Sequence, residues 1–110
     1  MNLCSHMDHI KLFRLPESVD GCEECIATGQ DWSHLRICLE CGYVGCSEDS
    51  PGAHAKQHAV LSGHPIIRSL EPDEEWGWCY LDAIGMLVPQ VTGKSVIRLS
   101  PSARKRHAGS

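Results

Sequence analysis

The sequence predicts one small domain that mixes short strands with a helix, its core too modest to stand without cross-links. Three observations predict it. Over 110 residues the apolar fraction is 42% but includes a single Phe, so little large apolar surface is available for burial. Seven cysteines and seven histidines are concentrated in this short chain. Strand-like segments and one helix-compatible segment alternate between Gly, Pro and Ser punctuation.

The cross-links are read from the stretch between Cys22 and His64. It carries Cys22-Glu23-Glu24-Cys25, then Cys38-Leu39-Glu40-Cys41, then Cys46, His54, His58 and His64. A C-x-x-C pair bends into a tight knuckle whose two thiolates take adjacent corners of a tetrahedron, and two such pairs a short spacer apart are what a zinc site needs. Disulfides would serve a secreted protein. Here the cysteine count is odd and residues 1–20 lack the continuous apolar stretch of a secretion signal, so a reducing cytoplasm is expected. No apolar run approaches the roughly 18 to 20 residues that span a bilayer, which excludes a membrane helix.

Charge is unevenly spread. The net charge is −4, yet all fourteen acidic residues fall between Asp8 and Asp82, and the residues from Lys94 onwards are basic without an acid among them. An acidic body argues against a nucleic-acid surface, because phosphate binding depends on clustered Lys and Arg. The basic end reads as a solvated tail, giving a domain over 1–93 and a tail over 94–110, of which at least 101–110 is expected to be disordered.

In chain order, Ile10, Leu12 and Phe13 are candidates for core packing before a turn region at Pro16 to Gly21. The first knuckle follows, closed by Thr28-Gly29. Trp32 to Cys38 reads as a strand with Trp32, His34 and Arg36 on one face. Tyr43-Val44 returns as a second strand. Ser50-Pro51 reads as a helix start, cap then first turn, with the helix running to Ser62-Gly63. It places His54 and His58 one turn apart on one face. Because Ala55 follows the first histidine, the glutamate base of an H-E-x-x-H protease is missing. His64 to Leu70 and Trp76 to Tyr80 read as strands, Ala83 to Val88 as a short helix or strand, and Ser95 to Leu99 as a last strand. Trp76 is assigned to the core, whereas Trp78 and Tyr80, on the same face, are candidates for a binding wall.

These segments together carry Cys4-x-His6, Gly21-Cys22-x-x-Cys25, Trp32-x-His34-Leu35-Arg36-x-Cys38, Cys41-Gly42-x-Val44-Gly45-Cys46, His54-Ala55-x-x-His58, Gly63-His64-Pro65-Ile66 and Trp76-x-Trp78-Cys79-Tyr80. Read from Cys4 to Asp82, the chain resembles the ubiquitin-hydrolase-type zinc finger, and is similar in style to small stand-alone versions seen in bacteria. The resemblance implies an α+β fold, a twisted antiparallel sheet with one or two helices cross-braced by up to three zinc ions. It assigns Cys22, Cys25, Cys46 and His54 to one site, and Cys38, Cys41, His58 and His64 to a second. A third would use Cys4, His6 and Cys79, with Asp82 where three-zinc members have a cysteine, and with His9 or water as substitutes.

Sites closed by four protein ligands are structural rather than catalytic, so the expectation is a non-catalytic, monomeric interaction module. The alternative is a metal-dependent hydrolase with an open position at the Cys4, His6 and Cys79 site. In ubiquitin-binding members an aromatic pocket and an arginine hold a free C-terminal Gly-Gly. Trp78 and Tyr80 match two of the aromatics. Glu48 stands where the arginine is expected, which argues against ubiquitin itself and leaves the C-terminal tail of a ubiquitin-like or other protein, or of another short peptide. Arg36 is the candidate replacement for the arginine, with Trp32 as an additional ring.

Overall fold

A computed structural model describes residues 6–71 and 73–98. Cys4 and the segment 101–110 lie outside the described residues. After a 3-10 turn at Met7–His9, the chain forms β1 (Ser18–Val19), α1 (Glu23–Thr28), β2 (Leu35–Cys38), β3 (Val44–Cys46) and α2 (His54–Ser62). It continues through β4 (Ile66–Ser69), β5 (Trp76–Cys79), β6 (Ile84–Leu87) and β7 (Val96–Ile97). Five strands make an antiparallel sheet in the order β3-β2-β4-β5-β6, and β1 pairs with β7 in parallel. This is the α+β class.

Alternation along the strands gives the sheet two different faces. Leu35, Ile37, Ile66, Leu70 and Cys79 belong to the core cluster, together with Val88 and Val91. Full burial of side chains such as Leu35, Ile37 and Ile66 contributes about 1.5 to 3 kcal/mol each. The register pairs Arg36 with Ser69 and Ile67 with Trp78, which places these residues, with Trp76, on the opposite face.

Several segments differ from the sequence expectation, each for a local reason. The strand expected from Trp32 begins only at Leu35, where the ladder to Cys46 starts. Trp32 is instead buried in the core cluster, lying against Gly21. A Cβ at Gly21 would stand 2.5 Å from the Trp32 ring, and the φ of +152° already suits glycine. The first knuckle is the start of α1, because the Cys22 sulfur caps the helix by accepting from the Cys25 N–H. Cysteine is not a customary cap, so capping rules do not find this helix.

The second helix starts at His54, three residues after Pro51. Residues 50 to 53 form a turn, with the Ala53 N–H bonded to the Ser50 carbonyl, and Ala53 itself is left-handed at φ 44°. Phe13 is exposed, whereas Ile10 is buried. The segment from Thr92 to Arg98, partly assigned to the tail by its charge, lies alongside residues 13 to 19. Leu15 N–H donates to Thr92, Val96 N–H to Glu17 and Arg98 N–H to Val19. Among the described residues no helix is long and apolar enough to cross a membrane.

Candidate functional site

Two features face different parts of the sheet: clusters of thiols and imidazoles, and an aromatic cleft. The first cluster joins Cys22 and Cys25 from α1, Cys46 from β3 and His54 from α2. Gly45 allows it, since a Cβ there would lie 2.7 Å from the Ala55 backbone nitrogen, and only glycine lets α2 approach β3 so closely. All three sulfurs stand 3.4 Å from His54 Nδ1, and Cys25 Sγ is 3.8 Å from Cys46 Sγ. Ligands on one tetrahedral zinc, bonded at about 2.3 Å through sulfur and about 2.0 Å through nitrogen, stand roughly 3.5 to 3.8 Å apart. The observed edges fit that figure.

The second cluster brings Cys38 and Cys41 to His58 and His64. Cys41 Sγ lies 3.3 Å from His58 Nε2, and Cys38 Sγ lies 3.7 Å from His64 Nδ1. In the third, His6 Nδ1 is 3.6 Å from Cys79 Sγ and 3.1 Å from Asp82 Oδ2. Cys79 and Asp82 share the knuckle geometry of Cys22 and Cys25: the residue-82 N–H meets Cys79 Sγ at 3.5 Å, as the residue-25 N–H meets Cys22 Sγ at 3.4 Å. A carboxylate thus occupies the position a second knuckle thiol would take. His9, held in reserve as a ligand, instead bonds Glu40 Oε1 at 2.9 Å. The other oxygen of Glu40 lies 3.7 Å from His64 Nε2, a neighbour that spacing does not announce.

Protonation agrees with metal binding. Burial pushes the Cys22 and Cys25 thiols up, and Cys38 to about 11. Thiols this crowded ionise readily only when a cation replaces their protons. Backbone donors are already aimed at the sulfurs, among them the His54 N–H at the start of α2, 3.2 Å from Cys46 Sγ. His58 is held below the usual histidine range by burial and then by His64, which favours the neutral, ligating imidazole.

On the sheet face that carries Arg36, Ile67 and Trp78, a cleft of about 420 Å³ is lined by these residues with Glu48, Trp76 and Tyr80, and also by His34, Asp49 and Glu74. Of the four residues singled out by sequence, three meet here: Arg36, Trp78 and Tyr80. Trp32 does not line the cleft, being held in the core. Trp76, expected in the core, lines the cleft and carries the Arg36 guanidinium 4.6 Å above its ring. Its period-two spacing from Trp78 was the available signal. Burial and, after it, Glu48 push the Tyr80 phenol up to about 12, and Arg36 acts in the opposite direction. Both charges are therefore close enough to act on that hydroxyl.

A small α+β domain with grouped Cys and His side chains defines a metal-binding finger. The chain belongs to the zinc-finger family described as "Zn-finger in ubiquitin-hydrolases and other protein", whose model matches residues 22–86. It is similar to ubiquitin carboxyl-terminal hydrolase 16 of Mus musculus, 30% identical over 82 residues, covering 64% of this chain and 10% of that protein. It is also similar to a RING finger protein ETP1 homolog of Schizosaccharomyces pombe, 33% identical over 70 residues, covering 64% and 13%. These curated relatives are thus matched over only a small part of their length. Protein RPA1320 from Rhodopseudomonas palustris, solved by solution NMR, superposes with a TM-score of 0.71 at 40% identity, covering 91% of this chain and 98% of that one.

Proposed function

We propose that this zinc finger is a non-catalytic recognition module in which three zinc ions staple the sheet and the aromatic cleft grips the C-terminal tail of a protein or peptide. Cys22, Cys25, Cys46 and His54 hold one ion, Cys38, Cys41, His58 and His64 the second, and Cys4, His6, Cys79 and Asp82 the third. The observation that carries the reading is the cleft itself, where Arg36, Trp76, Trp78 and Tyr80 converge on one face. Amphipathic rings give contact area at low entropic cost, and an arginine beside them suits a terminal carboxylate. The alternative, a hydrolase at the third site, needs an open coordination position, and the placement of Asp82 beside His6 and Cys79 favours a closed one.

An NMR titration of the zinc-loaded protein with peptides ending in a free Gly-Gly tests the reading. Shifts at Arg36, Trp76, Trp78 and Tyr80 are expected, and amidation of the peptide terminus weakens them. Absence of shifts at millimolar peptide overturns it.

A further inference from the structure

A second cavity, of about 480 Å³, lies where the loop after β4 meets the segment leading into β7. Its wall holds Arg68, which is only 5% exposed. The β2-β4 ladder sets Arg68 opposite Ile37 on the core face of the sheet, whereas its neighbour Ser69 pairs with Arg36 on the cleft face. Arg68 Nη1 donates to the Ser69 carbonyl at 2.6 Å. Its Nε is buried without a hydrogen-bond partner, and no ion pair joins the guanidinium to a carboxylate among the described residues. A buried cation normally has an anion against it, because an unpaired one carries the full cost of desolvation. Burial holds this guanidinium below the usual arginine range, and Glu75 acts against that.

The rest of the lining divides by chemistry. Lys94 adds a second cation. Of the carboxylates, Glu71 accepts from the Leu35 N–H at 2.9 Å and Glu74 from Ser69 Oγ at 2.6 Å, so both are held by the fold. Asp73 and Glu75 are exposed and make no side-chain hydrogen bond or ion pair among the described residues. Leu15 and Leu70, both buried, and the exposed Val96 supply an apolar wall. An anion alone would be repelled by Asp73 and Glu75, and a cation alone by Arg68 and Lys94. A small molecule that carries both charges a few bonds apart, on an apolar stem, complements all three parts of the lining.

We infer that this cavity is a separate binding site for a free α-amino acid with an apolar side chain. Arg68 and Lys94 take its carboxylate, Asp73 and Glu75 its ammonium, and Leu15, Leu70 and Val96 its side chain. The planar guanidinium suits a carboxylate, and the site does not depend on tail binding in the cleft.

The test titrates zinc-loaded protein with L-leucine while recording NMR signals of the backbone amides and of the Arg68 Nε–H. Isocaproate, which lacks the ammonium, and isoamylamine, which lacks the carboxylate, serve as controls. Leucine is expected to give saturable shifts at Arg68 Nε–H and at the amides of Gly93, Lys94 and Ser95, with Trp78 and Tyr80 unmoved. Each control is expected to bind about tenfold more weakly or less, the scale of losing one charged hydrogen-bonding group. Arg68→Gln abolishes the shifts. Because a change at a buried position can also unfold the domain, the exposed Glu75→Gln is the second variant: it narrows the preference for leucine over isocaproate while the spectrum stays dispersed. Absence of shifts at tens of millimolar leucine, or shifts confined to the cleft, overturns the inference. So does isocaproate or isoamylamine binding as tightly as leucine, or a preference that Glu75→Gln leaves unchanged.

Discussion

The first thiol cluster and the aromatic cleft lie in the same small sheet domain and are built on opposite plans. In the cluster Cys22, Cys25 and Cys46 are fully buried, three separate elements converge, and every sulfur has a neighbour at ligand spacing. In the cleft Trp76, Trp78 and Tyr80 are only half-buried, and Glu48 faces solvent. One region has its polar groups turned inward on one another, which suits a role in holding the fold. The other leaves large rings and charges uncovered, which suits a role in meeting something else.

That contrast can be broken by substitution. The largest effect is expected at Cys25→Ser: because zinc binding and folding are coupled, loss of a core ligand removes much of the roughly 10 kcal/mol or more that a structural zinc contributes. The amide spectrum should lose its dispersion. Trp32→Ala comes next, leaving a hole in the core that costs about 3 to 5 kcal/mol, read as a lowered urea midpoint. Asp82→Ala is smaller still. Native mass spectrometry should show one zinc fewer with the remaining ions retained, and spectral changes confined to the neighbourhood of His6 and Cys79. A three-zinc spectrum from that variant would remove Asp82 from the ligand set. Smallest for stability is Trp78→Ala, about 1 kcal/mol because the ring is half-exposed. In peptide titrations, however, it should abolish measurable binding. The two tryptophan variants thus separate the regions: one loses stability, the other recognition.

The same division governs how far the sequence could be read. The Cys22/Cys25 and Cys38/Cys41 knuckles are local, fixed by spacing over three residues, and the His54/His58 pair follows from helix periodicity. Which histidine joins which knuckle depends on how α2 lies across β3, set by Gly45, so it came from resemblance and not from spacing. The cleft is less legible. Alternation placed Trp78 and Tyr80 on one face, but the meeting of Arg36 with Trp76 depends on the β2-β4-β5 register, which joins residues some 40 positions apart. Trp32 misled for a related reason. Its ring fills the space that Gly21 leaves, and no strand pattern reveals a contact between a glycine and a ring eleven residues later.

The central claim is that metal organises this fold and the cleft is a consequence of it. It is tested most directly by titrating the folded protein with a zinc chelator while recording amide NMR spectra and counting bound metal. The account predicts three zinc ions at the outset and a collapse of spectral dispersion as the ions of the Cys22 and Cys38 sites are withdrawn. A metal-free protein that kept its dispersed spectrum would contradict it.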